Sequence, residues 1–294
     1  MRIDVVTLFP ELFEAFLATS MIGRGVASGA ARVRLKSPRD FGLGRHKSVD
    51  DTPYGGGSGM VMRVDCLVHC LEALDAEASA PPGPPATEAV EPTEPTEPTA
   101  PAQADEADVV ETSPPAPPAS APSSAPSSAP RAHRVLLCPQ GAPFRQRKAQ
   151  ELVERGHVAL VCGRYEGFDD RVRAYVDEEI SLGDFVLSGG EVAAMAVIDA
   201  CVRLLPGVLG NAASAEHESH SPALGGLLEY PQFTRPVEYR GVRVPDVLQN
   251  GNHAAIDAYR LAEAERRTRE RRPDLWAETL RERAARAPAK GRAS

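Results

Sequence analysis

Two short glycine-bearing loops, each of which follows a strand-like run, constrain the fold of this chain more than any other feature. Val158–Cys162 has the sequence VALVC, typical of a buried strand, and Gly163–Gly167 follows it. Asp177–Leu182 has the sequence of a more exposed strand, and Gly183–Gly190 follows it. Because glycine lacks a side chain, main-chain groups can approach a ligand closely in such loops. The pattern predicts a small flat ligand held by the main chain, although two tight turns without a ligand explain glycine loops equally well.

Strands and helices alternate around these loops. Arg2–Leu8 and Arg134–Cys138 are predicted strands, and the second is expected to end at Pro139-Gln140-Gly141. The predicted helices cover Glu11–Leu17, Met21–Ser28, Gln146–Glu154 and Glu191–Leu205, and Met60–Asp75 is predicted as a helix or as a strand that passes into one. This alternation predicts an α/β fold whose parallel sheet carries helices on both faces. Ligands of such sheets bind outside the carboxyl ends of the strands, where both glycine loops would lie.

The segment 77–130 has a different composition from the rest of the chain. It holds 15 of the 27 prolines and nine acidic residues, but no lysine, arginine or aromatic residue. Such a segment cannot bury enough apolar surface to offset the entropy lost on ordering, so we predict a disordered insertion. Without it, the formal net charge rises from −8 to +1. From Arg260 to the end there are eleven basic and six acidic residues, which suits a phosphate backbone or a solvated helix face.

The remaining boundaries follow from the composition. We predict a cofactor-binding α/β domain over 1–206, a flexible linker over 207–226, a C-terminal domain over 227–276 and a basic tail over 277–294. The C-terminal domain should hold a helix from Asn252, as N-cap, to Arg271, with Pro273 as its stop.

No run of 18 apolar residues occurs, so no membrane-spanning helix is expected. Five cysteines, each within an apolar pattern, favour a reduced, cytoplasmic protein. Cys66, His69 and Cys70 lack a fourth ligand, so no metal site is predicted.

Several ordered motifs carry a family resemblance. They include VDDTPYGGGSGM at 49–60, PQG at 139–141, GRYEG at 163–167, LGDFVLSGGE at 182–191, RLLPGVLGNAAS at 203–214 and YPQFTRP at 230–236. Together they resemble the bacterial tRNA (guanine-N1)-methyltransferases of the knotted SPOUT superfamily, which modify position 37 beside the anticodon. The resemblance covers Met1–Asp75 and Val135–Trp276.

The resemblance implies a fold and a reaction. The α/β domain would carry a trefoil knot at its C-terminal part, followed by a small, mostly helical domain that binds tRNA. Two chains would form a homodimer with shared active sites. The reaction would move a methyl group from S-adenosylmethionine to N1 of guanine 37, in the anticodon stem-loop. Family members can also require Mg²⁺, although no set of metal ligands is visible in the sequence.

The resemblance also assigns the catalytic residues. Arg203 would stabilise negative charge on O6 of the guanine, and a carboxylate in the linker would take the proton from N1. The family's aspartate position is occupied here by Glu218, one methylene longer. Glu216 and His217 are neighbouring candidates for the base, although a histidine in a polar linker is usually just solvated.

The binding residues are transferred in the same way. The residues expected to bind the cofactor are Pro139, Gln140, Gly141, Gly163, Tyr165, Glu166, Leu182, Gly183, Asp184, Phe185, Val186, Leu187, Gly189 and Gly190. The residues expected to bind the tRNA are Tyr54, Gly55, Gly56, Gly57, Gly59 and Arg164. Ser58 stands where the family usually has proline. Arg164 could instead simply pair with Glu166 or Asp169, and the loop over 38–59 could be a mobile surface loop.

Two alternatives remain open at this stage. Another enzyme of the superfamily would methylate a different base or a ribose; the long loop over 38–59 and the helical C-terminal domain argue against it. A non-catalytic RNA-binding protein that senses the cofactor would keep the glycine loops but need no base. Because Glu218 replaces the family's aspartate, the sequence leaves this non-catalytic alternative open.

Overall fold

The computed structural model describes residues 1–79, 131–210 and 217–286. Most of the predicted insertion, the candidate base Glu216 and the last eight residues of the predicted tail lie outside the described residues. The predicted insertion begins slightly too early, because residues 77–79 complete a helix.

A sheet of five parallel strands forms the centre of the described chain. The strands are β1 (Arg2–Val6), β2 (Arg32–Lys36), β5 (His133–Pro143), β6 (His157–Cys162) and β7 (Glu178–Ser181), in the spatial order β2-β1-β6-β5-β7. All neighbouring pairs run parallel. Two short strands, β3 (Asp50–Asp51) and β4 (Val61–Met62), form a separate antiparallel pair.

Helices cover both faces of this sheet. They are α1 (Glu14–Ala18), α2 (Ser20–Ala27), α3 (Val64–Ser79), α4 (Gln146–Arg155) and α5 (Glu191–Val202). Strand residues alternate between two cores: Val158 and Leu160 pack with α2, α4 and α5, whereas Ala159 and Val161 pack with α3. Such alternation is the period of two expected for a strand buried on both faces. The predicted α/β fold with a parallel sheet is therefore confirmed, while the trefoil knot stays a prediction.

Strand β5 departs from the prediction. The strand was expected to end before Pro139, yet it continues to Pro143. Its register against β7 shifts between Leu137 and Ala142, so the residues between them bulge out of the ladder. A bulge re-aims the side chains around it, which explains how a proline can sit inside a strand next to a ligand cleft.

The C-terminal part contains a hairpin and two helices. The hairpin pairs β8 (Glu238–Tyr239) with β9 (Val242–Arg243), and the helices are α6 (His253–Arg271) and α7 (Pro273–Arg286). The Asn252 side chain accepts a hydrogen bond from the Ala255 amide at 3.2 Å, as predicted for an N-cap. The predicted tail is wrong over 277–286, because Pro273 is the first residue of α7. Proline suits the first helical turn, where its missing amide costs nothing.

Candidate active site

Three segments at the carboxyl ends of the strands enclose one cleft of about 410 Å³. They are the bulge of β5, the loop after β6 and the loop after β7. The predicted cofactor residues that line the cleft are Pro139, Gln140, Gly163, Tyr165, Glu166, Leu182, Gly183, Phe185, Val186, Leu187, Gly189 and Gly190. Gly141 and Asp184 are not among the described lining residues. A side chain on Gly141 would collide with the backbone of Ile180, so this glycine allows the bulge to pack on β7.

The two glycine loops contact each other directly. The Gly190 amide donates a hydrogen bond to the Gly163 carbonyl at 2.9 Å. A Cβ atom on Gly190 would lie 2.7 Å from Cα of Cys162, a distance that real side chains do not tolerate. The absence of a side chain is therefore required for the loops to approach, and it also leaves their main-chain groups facing the cleft.

A charged cluster that the sequence did not single out forms one wall of the cleft. Arg173 lines the cleft, donates to Oε1 of Gln140 at 2.6 Å and pairs with Asp170 at 2.6 Å. It also pairs with Glu179, and these hydrogen bonds, Glu179 first, raise the pKa of Arg173. The Cys138 thiol donates to Glu179 at 3.1 Å, and burial together with this carboxylate raises the pKa of Cys138. Arg173 lies in a 3-10 helix whose sequence shows no regular hydrophobic pattern. Only its position between β6 and β7, which are each followed by a glycine loop, could have indicated that it lines the cleft.

The loop predicted to bind RNA lies beside the loop after β6. The Glu166 amide donates to the Met60 carbonyl at 3.0 Å, and the Met62 amide donates to the Gly167 carbonyl at 2.9 Å. Gly59 abuts the Glu166 side chain so closely that a Cβ atom there would collide with it. Tyr54 is fully exposed. The structure therefore brings two predicted regions, the tRNA loop and the rim of the cleft, into contact.

Arg164 lines the cleft but is engaged with protein groups. Its Nε lies 2.9 Å from Oε2 of Glu191, and its Nη1 donates to the Ser188 carbonyl at 3.2 Å. The alternative partners Glu166 and Asp169 are not the ones observed, since Asp169 pairs with Arg171. Its role in binding tRNA stays a prediction.

The two predicted catalytic residues meet at a different place. Arg203 caps the C-terminal end of α5 and forms a two-fold ion pair with Glu218, with both N···O distances at 2.5 Å. The hydrogen bonds to Glu218 raise the pKa of Arg203. Neither residue is among the described residues that line the cleft. His217 is exposed, and Glu216 lies outside the described residues.

The separation between the pair and the cleft follows from the length of α5. Gly190 and Ala193, at the start of α5, line the cleft, whereas Arg203 follows its last residue. A helix of 12 residues is about 18 Å long. Within one chain, the pair therefore lies at the opposite end of α5 from the residues that line the cleft.

The described residues hold no group of three or more His, Cys, Asp or Glu side chains suited to a metal ion. Cys66 and Cys70 are buried in the core, whereas the neighbouring His69 is exposed. No described helix is long and apolar enough to cross a membrane.

Comparison with known proteins identifies a family to which this chain is similar. The sequence profile of the family described as tRNA (Guanine-1)-methyltransferase TrmD matches residues 1–88 and 115–278. A Sorangium cellulosum protein named tRNA (guanine-N(1)-)-methyltransferase is 68% identical over 276 residues, which are 94% of this chain and 93% of that protein. Proteins of the same name from Brevibacillus brevis and Geobacter sulfurreducens are each 42% identical over 276 residues, or 94% of this chain and 91% of theirs.

Proposed function

The chain belongs to the tRNA (guanine-1)-methyltransferase family, and we propose that it transfers a methyl group from S-adenosylmethionine to N1 of the guanine at position 37 of tRNA. The observation that carries this proposal is the pairing of Arg203 with Glu218. Guanine presents the O6 acceptor and the N1–H donor side by side. A guanidinium next to a carboxylate is complementary to that edge. Adenine instead presents a donor at position 6 and an acceptor at N1. The guanidinium would then face a donor and the carboxylate would face an acceptor, so neither could form its hydrogen bond.

The cleft suits the cofactor. Its volume of about 410 Å³ lies within the usual range for small-molecule sites, and its lining includes Gly163, Gly167, Gly183, Gly189 and Gly190. Main-chain amides and carbonyls can recognise the adenine edge and the methionine tail. Leu136 and Leu137, just before the bulge of β5, supply apolar lining. When bound, S-adenosylmethionine supplies an electrophilic methyl group on its sulfonium.

The chain's own residues supply positioning and proton transfer. Glu218 accepts the proton from N1, which makes that nitrogen nucleophilic. Arg203 donates to O6, where negative charge develops as the proton leaves, and so stabilises the transition state more than the ground state. In the free chain, each of these side chains satisfies the other. The guanine edge must therefore displace part of this ion pair when it binds.

A second copy of the chain is needed to complete the site in this proposal. The support is the position of Arg203 at the end of α5, ten residues or about 15 Å of helix beyond Ala193, which lines the cleft. In a homodimer, the Arg203–Glu218 pair of one copy would face the cofactor in the cleft of the other.

We assign tRNA binding to two regions. Tyr54 is a fully exposed aromatic ring on the loop beside the cleft, where it can stack on an unpaired base of the anticodon loop. The second region is the C-terminal domain over 227–276, which follows the predicted linker over 207–226. There, the guanidinium of Arg260 lies 4.9 Å from the centre of the Tyr230 ring, and that of Arg269 lies 5.1 Å from the Trp276 ring.

A requirement for Mg²⁺ stays a prediction of the family resemblance, and we derive no step from it. A cytoplasmic location fits a tRNA substrate and five free cysteines.

The test is methyl transfer from labelled S-adenosylmethionine to transcripts with guanine or adenine at position 37, for the wild type and Glu218→Ala. The proposal predicts labelling that requires guanine 37 and collapses in the variant. Labelling that persists in the variant would move the base to Glu216 or His217. Labelling at another nucleotide would replace position 37, and cofactor binding without any labelling would favour a sensor of the cofactor.

A further inference from the structure

One buried carboxylate beside the cleft has no part in the proposed reaction. Glu191 is the first residue of α5 and is only 1% exposed. Its Oε1 accepts a hydrogen bond from Oγ1 of Thr7 at 2.9 Å, and its Oε2 lies 2.9 Å from Nε of Arg164. Burial of a charge is costly unless nearby groups compensate for the lost water. Here the hydroxyl of Thr7 provides a hydrogen bond to Oε1, whereas the guanidinium and the amino end of the helix act on Oε2 through charge, without a hydrogen bond.

Arg164, the partner of Glu191, connects three parts of the cleft. It belongs to the loop after β6, and its Nη1 donates to the carbonyl of Ser188 in the loop after β7. Its guanidinium also lies 4.5 Å from the centre of the Phe9 ring, just beyond β1, which adds a cation–π contact. The amide of Phe9 in turn donates to Oγ1 of Thr7 at 3.0 Å. One closed network therefore joins both glycine loops to the end of β1.

Gly189 makes room for this network. A Cβ atom at that position would collide with Nε of Arg164 and would lie 2.5 Å from Oε2 of Glu191. The glycine of the second loop is thus needed because the Arg164–Glu191 pair occupies the space beside it. The spacing of the two loops depends on the pair, since Arg164 holds Ser188 from across the gap.

We propose that Glu191 is a positioning residue for the cofactor. By fixing Arg164, it holds the two glycine loops at the separation that S-adenosylmethionine requires, without lining the cleft itself. Arg164 would then act mainly within this network rather than as a contact to RNA. The inference rests on the proposed cofactor, and it does not depend on which nucleotide is methylated.

Asp4, in β1, supplies a control, because it is a second fully buried carboxylate. It accepts two hydrogen bonds from Arg34, each at 2.7 Å, and lies 2.8 Å from Nε2 of His157. None of these residues lines the cleft. Asp4→Asn and Glu191→Gln each remove one buried charge and keep the size of the side chain. A purely structural role for Glu191 would make the two variants behave alike.

The experiment measures the Kd of S-adenosylmethionine by calorimetry, and Tm by thermal unfolding, for the full-length wild type and both variants. We expect Glu191→Gln to raise Kd by about tenfold to hundredfold, the range typical of residues that orient binding groups. Asp4→Asn should lower Tm while leaving Kd unchanged. Arg164→Gln should raise Kd like Glu191→Gln, and the double variant should bind no more weakly than the weaker single one, because both remove the same interaction.

The outcomes separate this inference from the proposed function. Wild-type Kd in Glu191→Gln, with a Tm as low as that of Asp4→Asn, would overturn the positioning role. Additive losses in the double variant would also overturn it, since the two residues would then act independently. A wild-type chain that binds the cofactor but methylates no tRNA would refute the proposed function and leave the positioning role intact.

Discussion

The two ends of the central sheet are built in different ways. Toward the amino ends of the strands, charged side chains pair with one another: Asp4, the middle residue of β1, binds Arg34 and His157, and Arg131 pairs with Asp177 through two contacts, the shorter at 2.5 Å. At the carboxyl ends, glycine loops leave main-chain groups and a cleft open. Charged side chains are also present at that end, as the Arg173 cluster in the cleft wall and as the Glu191 network behind it.

This difference separates stability from function along the same strands. Toward the amino ends, several charged side chains are paired with one another, such as Asp4 with Arg34 and Arg131 with Asp177. At the carboxyl ends, main-chain groups remain available because glycines keep side chains out of the way. Changes at the first end should therefore alter unfolding, and changes at the second should alter binding or turnover.

The largest effect is expected outside both ends, at the ion pair beyond α5. Glu218→Gln removes the base but keeps the shape of the side chain. The rate of methyl transfer should fall by about a thousandfold, the scale of general base catalysis, with cofactor Kd unchanged. Single-turnover kinetics and calorimetry measure both quantities. Glu151→Gln, which removes an exposed carboxylate paired with Lys148 on α4, is the control and should keep the wild-type rate. A Glu218→Gln enzyme with an unchanged rate would exclude this residue as the base.

Asp4→Asn should give the largest loss of stability. Removing one partner from a buried ion pair costs about 3 kcal/mol, because the remaining charges lose their compensation. Urea unfolding measures this loss, and the cofactor Kd should stay at the wild-type value. A shift in Kd as large as the one at Glu191 would break the distinction between the two ends of the sheet.

The same residue predicts a pH dependence. Burial alone would raise the pKa of Asp4, but the hydrogen bonds from His157 and Arg34 outweigh it and lower the pKa below its ordinary value. The native state thus favours the ionised form. The stabilisation is present above the unfolded pKa of about 3.9, and it is lost as pH falls through the lower folded value. Unfolding at acid pH should show this loss in the wild type. A loss of the same size in Asp4→Asn would assign it to other carboxylates.

Gly190→Ala should weaken cofactor binding. The added Cβ would lie 2.7 Å from Cα of Cys162, so the two glycine loops must move apart. A displacement of this kind can cost about a hundredfold, and Kd should rise on that scale. Gly210→Ala is the matched control, because a Cβ atom there meets nothing within 4 Å. Equal Kd values for the two variants would contradict the close approach of the loops.

The smallest effect is expected at Tyr54. Its ring is fully exposed, so Tyr54→Ala should leave Tm and cofactor Kd unchanged. Loss of one stacked base should raise KM for tRNA by about tenfold. Tyr175→Ala, which removes a partly exposed ring elsewhere, should not change KM. An unchanged KM for Tyr54→Ala would remove this loop from the RNA interface.

Much of this architecture could be predicted from local patterns. Apolar runs such as Val158–Cys162 identified the strands, and glycine-bearing motifs after them identified the rim of the cleft. The bulge of β5 could not be predicted, because it depends on the register against β7, which is set by distant residues. Helix α6 ends at Arg271, as predicted, but the prediction misses α7, because Pro273 is assigned only as a stop and proline is equally suited to starting a helix. Arg173 and the Arg203–Glu218 pair depend on contacts across 15 or more residues, which no local period reports.

The most direct test of the account is complementation between Gly190→Ala and Glu218→Ala, at a cofactor concentration too low to occupy the Gly190→Ala cleft. Each is purified alone, and the two are then mixed under conditions that exchange subunits. If each site combines the cleft of one chain with the Arg203–Glu218 pair of another, a mixed dimer contains one intact site. Methyl transfer should then recover to roughly a quarter of the wild-type rate after random exchange in equal amounts. A mixture that stays as inactive as its components, although mixed dimers are present, would contradict the shared site.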